Sequence, residues 1–357
     1  MSVQPVRVAV IGTSFASAVQ IPGFQLLPGV EVVAVASASA DRAAQTAERF
    51  GIPGAYSDWR TLLDEVDCDL VSIVTPPYLH HEMTLASVER GRHVFCEKPF
   101  ASNVAEAVEM VQAVEKSGLI HGVDHEFRYR PARARMKELI ESGHLGEPRV
   151  IRWGWLLGML AEPNSRAWNW WSEREKGGGI FGALGSHLID SLLWWFGDIT
   201  EVSAQLNTFV SRRPTVDGKS WGTVTADDDV ALMFRFASGA RCTVDLSGVT
   251  RPARLHLEAY GSSGALSIEE DERLLTATAK GGWEPAEIPE RLVRSVAGDP
   301  RLGPFVELAD RLVTKVRGGT APDFADFRQG LRVQAVMDAA HLSADERRAV
   351  SVEYPTV

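Results

Sequence analysis

No apolar run in this 357-residue sequence reaches the roughly 20 residues that a membrane-crossing helix needs. The opening stretch MSVQPVRVAVIGTS has no basic segment followed by a long apolar one, so no secretory signal is expected. Cysteine is scarce: Cys68, Cys96 and Cys242 form no CxxC pair, which fits buried thiols in a reducing cytoplasm. The nine histidines are scattered, and adjacent His80 and His81 have poor ligand spacing on a helix, so no metal site is expected. No Lys/Arg-rich block occurs and the net charge is -10, which argues against nucleic-acid or membrane-surface partners. Apolar residues at 45% and charged residues at 24% leave an ordinary globular chain, long enough for two domains.

What the sequence does have is strand–helix alternation over its first 125 residues. VRVAVIG, VEVVAVAS, DLVSIVTPP and HVFCEKP read as strands that are apolar throughout. Such strands belong in a sheet covered on both faces, and repeated βαβ units make it parallel and doubly wound. Helices are expected over Asp41–Gly51 and over Asn103–Gly118, the second with Asn103 as N-cap. Past Pro131, runs such as DDVALMFRF and ARCTVDLSG alternate apolar and polar residues, the pattern of an antiparallel sheet with one wet face. The expected class is α/β: a Rossmann-type domain over 1–125, an α+β domain over 126–320, and a C-terminal helix and tail, 321–357, packing back on the first domain.

Three places carry chemistry. The loop after the first strand, Gly12-Thr13-Ser14-Phe15, keeps one glycine of a G-x-G-x-x-G phosphate loop and has Ser14 and Ser17 at the other two places. Backbone amides at a helix start still bind phosphate there. The tip of the second strand, Ser37-Ala38-Ser39, has no acid to hold a ribose 2′-hydroxyl. Two hydroxyls with Arg42 nearby favour NADP over NAD. Third, the HVFC strand runs directly into Glu97, Lys98 and Pro99. A partly desolvated lysine on a stiffened turn suits proton transfer, whereas an exposed ion pair is the ordinary role of such residues.

In the second domain, GSHLIDSLLWWFG reads as a buried helix in which His187 and Asp190 share a face. Ten tryptophans are many, and they cluster: Trp153 and Trp155, then Trp168, Trp170 and Trp171. Their faces suit sugar rings, and packing is the plainer use of each.

Taken in order, IVTPPYLHHE, HVFCEKPF, GVDHEFRYRPA, GGGIFGALGSHLIDSLLWWFG and FADFRQGLRVQAVMDAAHLSADE resemble the Gfo/Idh/MocA oxidoreductases along nearly the whole chain. The resemblance implies a Rossmann domain followed by a large open, mostly antiparallel sheet. It implies hydride exchange between NAD or NADP and a sugar, cyclitol or related polyol. Lys98, on a turn beside the nicotinamide with a cis Lys98–Pro99 bond, and His187 would handle the proton. Thr75, Pro76, His80 and Glu97 would border the cofactor. Arg128, Trp155, Trp168 and Asp190 would meet the substrate. One departure stands out: the family commonly has Asp where this chain has Ala183. Two alternatives stay open, an NAD-dependent glycoside hydrolase of the same fold and a non-catalytic dinucleotide sensor. Assembly into a homodimer or homotetramer is expected on physical grounds, since an open sheet with an apolar face must cover it.

Overall fold

The structure is a computed structural model that describes residues 4–322 and 324–357. Two compact units divide the chain. The first is Met1–Tyr129 with Arg294–Leu331 and Val357; the second is Arg130–Val293 with Arg332–Thr356.

In the first unit, six strands form one parallel sheet in the order β3-β2-β1-β4-β5-β6. They are β1 (Val6–Ile11), β2 (Val30–Ala36), β3 (Gly54–Tyr56), β4 (Leu70–Ile73), β5 (His93–Cys96) and β6 (His121–Val123). Their apolar sequences have a direct cause. Val8 and Val10 enter a core on one face with Phe24, Phe95 and Phe305; Ala9 and Ile11 enter another core with Val71, Val94 and Met110. The central strands β1, β4 and β5 are buried on both sides, so their positions are apolar on both faces apart from Arg7, Ser72 and His93.

The helices of this unit are α1 (Ile21–Gln25), α2 (Ala40–Phe50), α3 (Trp59–Glu65), α4 (His80–Glu89) and α5 (Val104–Ser117). Ser39 caps α2 by accepting from the Arg42 amide, and Asn103 caps α5 by accepting from the Glu106 amide. Gly51 and Gly118 end these two helices in the left-handed conformation.

The second unit holds a nine-stranded sheet, order β16-β15-β14-β13-β7-β12-β11-β8-β17. Its strands are β7 (Pro148–Leu156), β8 (Ile199–Asn207), β11 (Asp229–Phe236), β12 (Arg241–Ser247), β13 (Arg254–Gly261), β14 (Gly264–Glu269), β15 (Arg273–Thr278), β16 (Glu284–Pro285) and β17 (Val350–Ser351). A separate hairpin is made by β9 (Arg212–Pro214) and β10 (Trp221–Thr223). Every pairing in the large sheet is antiparallel except β7 with β12. Its helices are α6 (Pro131–Glu141) and α7 (Ser186–Phe196).

Period-two alternation explains the two faces of this sheet. One cross-strand row reads Leu257, Trp153, Val244, Leu232, Ala204, all buried. On that face Trp195 of α7 packs on Trp153, and Phe196 packs on Phe236. The adjacent row reads Glu258, Arg152, Thr243, Met233, Ser203. An uncovered apolar face, the physical reason given for assembly, is therefore not what this sheet presents: its apolar face is covered by its own helices and its other face is mostly polar.

Two helices remain. α8 (Leu302–Val316) belongs to the first unit, where Phe305 meets Phe24 edge-on at 5.3 Å between ring centres. α9 (Phe327–Glu346) starts in the first unit, Phe327 packing on Phe100, and its residues from Arg332 belong to the second. The expected boundary at 320 thus meets an interleaved chain. Residues 294–320 belong to the first unit, and after Leu331 the chain to Thr356 belongs to the second, where β17 pairs with β8.

Candidate active site

In the first unit the chemistry gathers at the strand ends. Gly12 follows β1 with φ 121°, and a Cβ there would lie 2.0 Å from the Val74 carbonyl oxygen, so only glycine fits the turn. After it the chain enters a π-helical segment, Ala16–Gln20, that runs into α1. The amides at such a helix start have no intrahelical acceptor, and Ser14 is exposed there with no bulk to block a phosphate. Thr13 Oγ1 lies 3.5 Å from Ser37 Oγ, which brings the loop and the tip of β2 together. Arg42 is exposed on α2, and the ring of Phe15 lies 4.8 Å from the Arg301 guanidinium carbon. These residues fit a dinucleotide.

β5 leaves the sheet at Glu97, whose amide donates to the Ile73 carbonyl at 2.9 Å. Lys98 is half-buried, the Lys98–Pro99 peptide is cis, and the Lys98 amide donates to Glu97 Oε2 at 3.1 Å. Beneath the turn lies a buried polar network that the sequence reading did not find. Gln20 Nε2 donates to Glu97 Oε1 and to Asp124 Oδ2, both at 2.8 Å, and the Ser72 hydroxyl donates to Gln20 Oε1. Asp124, just past β6, is locked by its amide bond to the Cys96 carbonyl at 2.9 Å. Burial, with the Glu126 and Glu97 carboxyls nearby, holds the Asp124 pKa well above the carboxylate range. Burial thus favours the protonated acid at Asp124, because side-by-side buried carboxyls resist ionising together.

His80 braces the same turn. Its Nε2 faces the Thr75 carbonyl at 2.9 Å, and its Nδ1 faces the carbonyls of Pro99 at 3.1 Å and Phe100 at 3.3 Å. Burial lowers its pKa, so the ring is neutral and only one of the two nitrogens donates to the carbonyls that face them. Thr75 Oγ1 lies 3.5 Å from Met83 Sδ, and Pro76 precedes the short helix Pro77–Leu79. Arg128 lies in the short helix Glu126–Tyr129 of this unit and is buried.

The second unit places His187 and Asp190 in the buried first turns of α7, after a π-helical segment, Phe181–Gly185, that contains Ala183. Asp227 stands where this segment begins, accepting from the Phe181 amide at 2.7 Å. Burial pushes its pKa up to about 7. Trp155 is 4% exposed, stacked on Trp153, with the Arg133 guanidinium 5.2 Å from its ring centre. Trp168 donates from Nε1 to the Thr223 carbonyl at 2.9 Å and so anchors the β9–β10 hairpin. Among the described residues no group of His, Cys, Asp or Glu is placed to hold a metal ion, and no helix is long and apolar enough to cross a membrane.

A six-stranded parallel sheet with a glycine turn and helix start after β1 is the architecture of a Rossmann-type dinucleotide-binding unit. Comparison with known proteins gives the family. Residues 6–125 match the Gfo/Idh/MocA oxidoreductase family with its NAD-binding Rossmann fold, and residues 134–267 match the Gfo/Idh/MocA C-terminal domain. The chain belongs to the Gfo/Idh/MocA family and is an NAD(P)-dependent oxidoreductase. It is 33% identical over 356 residues to an uncharacterised oxidoreductase of Synechocystis, covering 97% of this chain and 95% of that one. It is 33% identical over 257 residues to levoglucosan dehydrogenase of Pseudarthrobacter phenanthrenivorans, covering 67% of this chain and 65% of that one. A solved levoglucosan dehydrogenase in complex with NADH and L-sorbose superposes with a TM-score of 0.89 at 27% identity, over 99% of this chain and 100% of the other.

Proposed function

We propose that this protein moves a hydride between a nicotinamide nucleotide and a hydroxyl or keto carbon of a sugar or related polyol. The observation that carries the reading is Lys98: a half-buried amine on a turn held by the Glu97–Gln20–Asp124 network on one side and by His80 on the other. The nucleotide, when bound, accepts or supplies the hydride. Lys98 Nζ takes the proton of the reacting hydroxyl in oxidation and returns it in reduction. His187 assists at the same oxygen. With Ala183 in place of the family's usual Asp, proton handling falls on these two side chains. Relatives named levoglucosan dehydrogenase, 1,5-anhydro-D-fructose reductase and myo-inositol 2-dehydrogenase support the substrate class.

NADP, or both nucleotides, is the reading for the cofactor. The tip of β2 is Ser37, Ala38 and Ser39, and Arg42 is exposed on the following helix. A 2′-phosphate finds hydroxyls and a guanidinium there and no acid at the strand tip to repel it. The test is a panel of sugars, anhydrosugars and cyclitols offered with NAD and with NADP, read by reduced-nicotinamide absorbance. Turnover with at least one polyol is expected. Cleavage of a chromogenic glycoside without net nucleotide turnover, or binding of nucleotide with no turnover of any polyol or ketose, overturns the reading.

A further inference from the structure

Among the described residues, Arg166, in the strap between β7 and α7, has no acidic partner. Its guanidinium carbon lies 4.2 Å from the centre of the Trp171 ring, and its Nε is buried with no acceptor among the described residues. Its neighbour in charge is Arg213 of β9, which is 3% exposed. Arg213 donates to the carbonyls of Leu160 at 2.8 Å, Glu162 at 3.1 Å and Pro163 at 3.3 Å, and to Ser165 Oγ at 3.3 Å. All four acceptors are neutral. Burial and the Arg213 charge both lower the pKa of Arg166.

Asp228 is the acid whose charge acts on Arg213, and both its oxygens accept from backbone, the Phe209 and Val210 amides at 2.8 Å each. The Glu162 carboxylate faces Arg251 at 3.5 Å. Two partly desolvated guanidiniums repel each other, and among the described residues no carboxylate answers Arg166 itself. An arginine whose face lies on an aromatic ring keeps its edge, the fork that matches a carboxylate or phosphate with two parallel hydrogen bonds. Aromatic surface for a sugar ring is at hand, with Trp170 and Trp171 at 6.5 Å between ring centres. The Trp171 carbonyl accepts from the Gly179 amide at 3.1 Å, which ties this place to the segment leading to His187.

We propose that Arg166, backed by Arg213 and resting on Trp171, binds an anionic group, a carboxylate or a phosphate, carried by the sugar substrate. This deepens the function proposed above by naming an acidic sugar as the substrate class, and it depends on that reading for the sugar.

The test measures binding, so its failure is separable from failure of hydride transfer. D-glucuronate, D-glucose 6-phosphate and D-glucose are titrated calorimetrically into the full chain, with and without NADH, and into Arg166→Gln and Arg166→Lys. One of the two anionic sugars is expected to bind the wild type about 10- to 100-fold tighter than glucose, and which one identifies carboxylate or phosphate. Arg166→Gln should abolish that preference. Arg166→Lys, which keeps the charge without the fork, should retain part of it. The preference is a ratio within each variant, so a partly unfolded sample does not distort it. Equal binding of the three sugars by the wild type, no anionic binding at millimolar concentration, or a preference that survives Arg166→Gln would overturn the proposal. Inactivity toward every polyol would sink the proposed reaction and leave this ratio standing.

Discussion

At the end of β5, polar side chains from four segments bond one another: Gln20, Ser72, Glu97 and Asp124, with Asp124 Oδ1 left over. In the second unit, Arg166 of the strap before α7 has Arg213 of β9 as its neighbour in charge and, among the described residues, no carboxylate of its own. Both places are partly dehydrated, yet only in the first do the polar side chains answer one another. A bonded network fixes geometry, which a proton-transferring lysine needs from its surroundings. A cation left without an acid keeps a place that an anionic ligand can take. On the proposals above, the first set shapes a site and the second meets a substrate.

The sharpest break concerns the lysine that the closed network frames. Lys98→Met should fold with an unchanged melting midpoint and lose turnover by about 10²–10⁴. Retention of more than about half the wild-type rate would remove Lys98 from the proton path. The network itself is next. Gln20→Leu leaves two buried carboxyls and the Ser72 hydroxyl without their amide, and should cost about 2–4 kcal/mol in urea unfolding. Asp124→Asn should cost under about 1 kcal/mol, because the fold favours the neutral acid there and an amide takes its place. Equal losses for the two variants would mean that Asp124 is ionised and the network is wrongly read.

Asp227 sharpens the comparison by pH. It is a buried acid of the second unit whose folded pKa, about 7, lies above the unfolded value of 3.8. Between those values the unfolded chain is ionised at this position while the folded one holds its proton, so stability falls as pH rises through that window. Asp227→Asn keeps an oxygen for the Phe181 amide and removes the titration. Its unfolding free energy should vary less than the wild type's between pH 4 and pH 7 (roughly the two ends of that window). The smallest effect is expected at the nucleotide: Ser37→Asp should shift preference toward NAD by about tenfold, near 1.4 kcal/mol. A wild type that already prefers NAD by that margin would refute the reading of the β2 tip.

Much of the fold was legible because its causes are local. Ser39 and Asn103 announce helix starts, Gly51 and Gly118 announce ends, and strands apolar throughout announce a sheet covered on both faces. The short strands β9, β10, β16 and β17 were missed, since a strand of two or three residues has too few positions to show a period. Ala183 was visible as a departure, while Asp227 in the same neighbourhood was not: its bond to the Phe181 amide joins residues far apart in the chain.

From its residues alone the chain determined where a phosphate loop turns, where a lysine leaves a strand, and that a sugar-type oxidoreductase was the family to compare. Those are properties of contiguous residues, written by backbone sterics and hydrophobic period. Only the tertiary structure decided what surrounds them. Gln20 meets Glu97 across 77 residues and Asp124 across 104, and Arg213 reaches the Leu160 carbonyl across 53. Whether a buried charge is answered or left open depends on which distant segments packing brings beside it, and no local pattern records that.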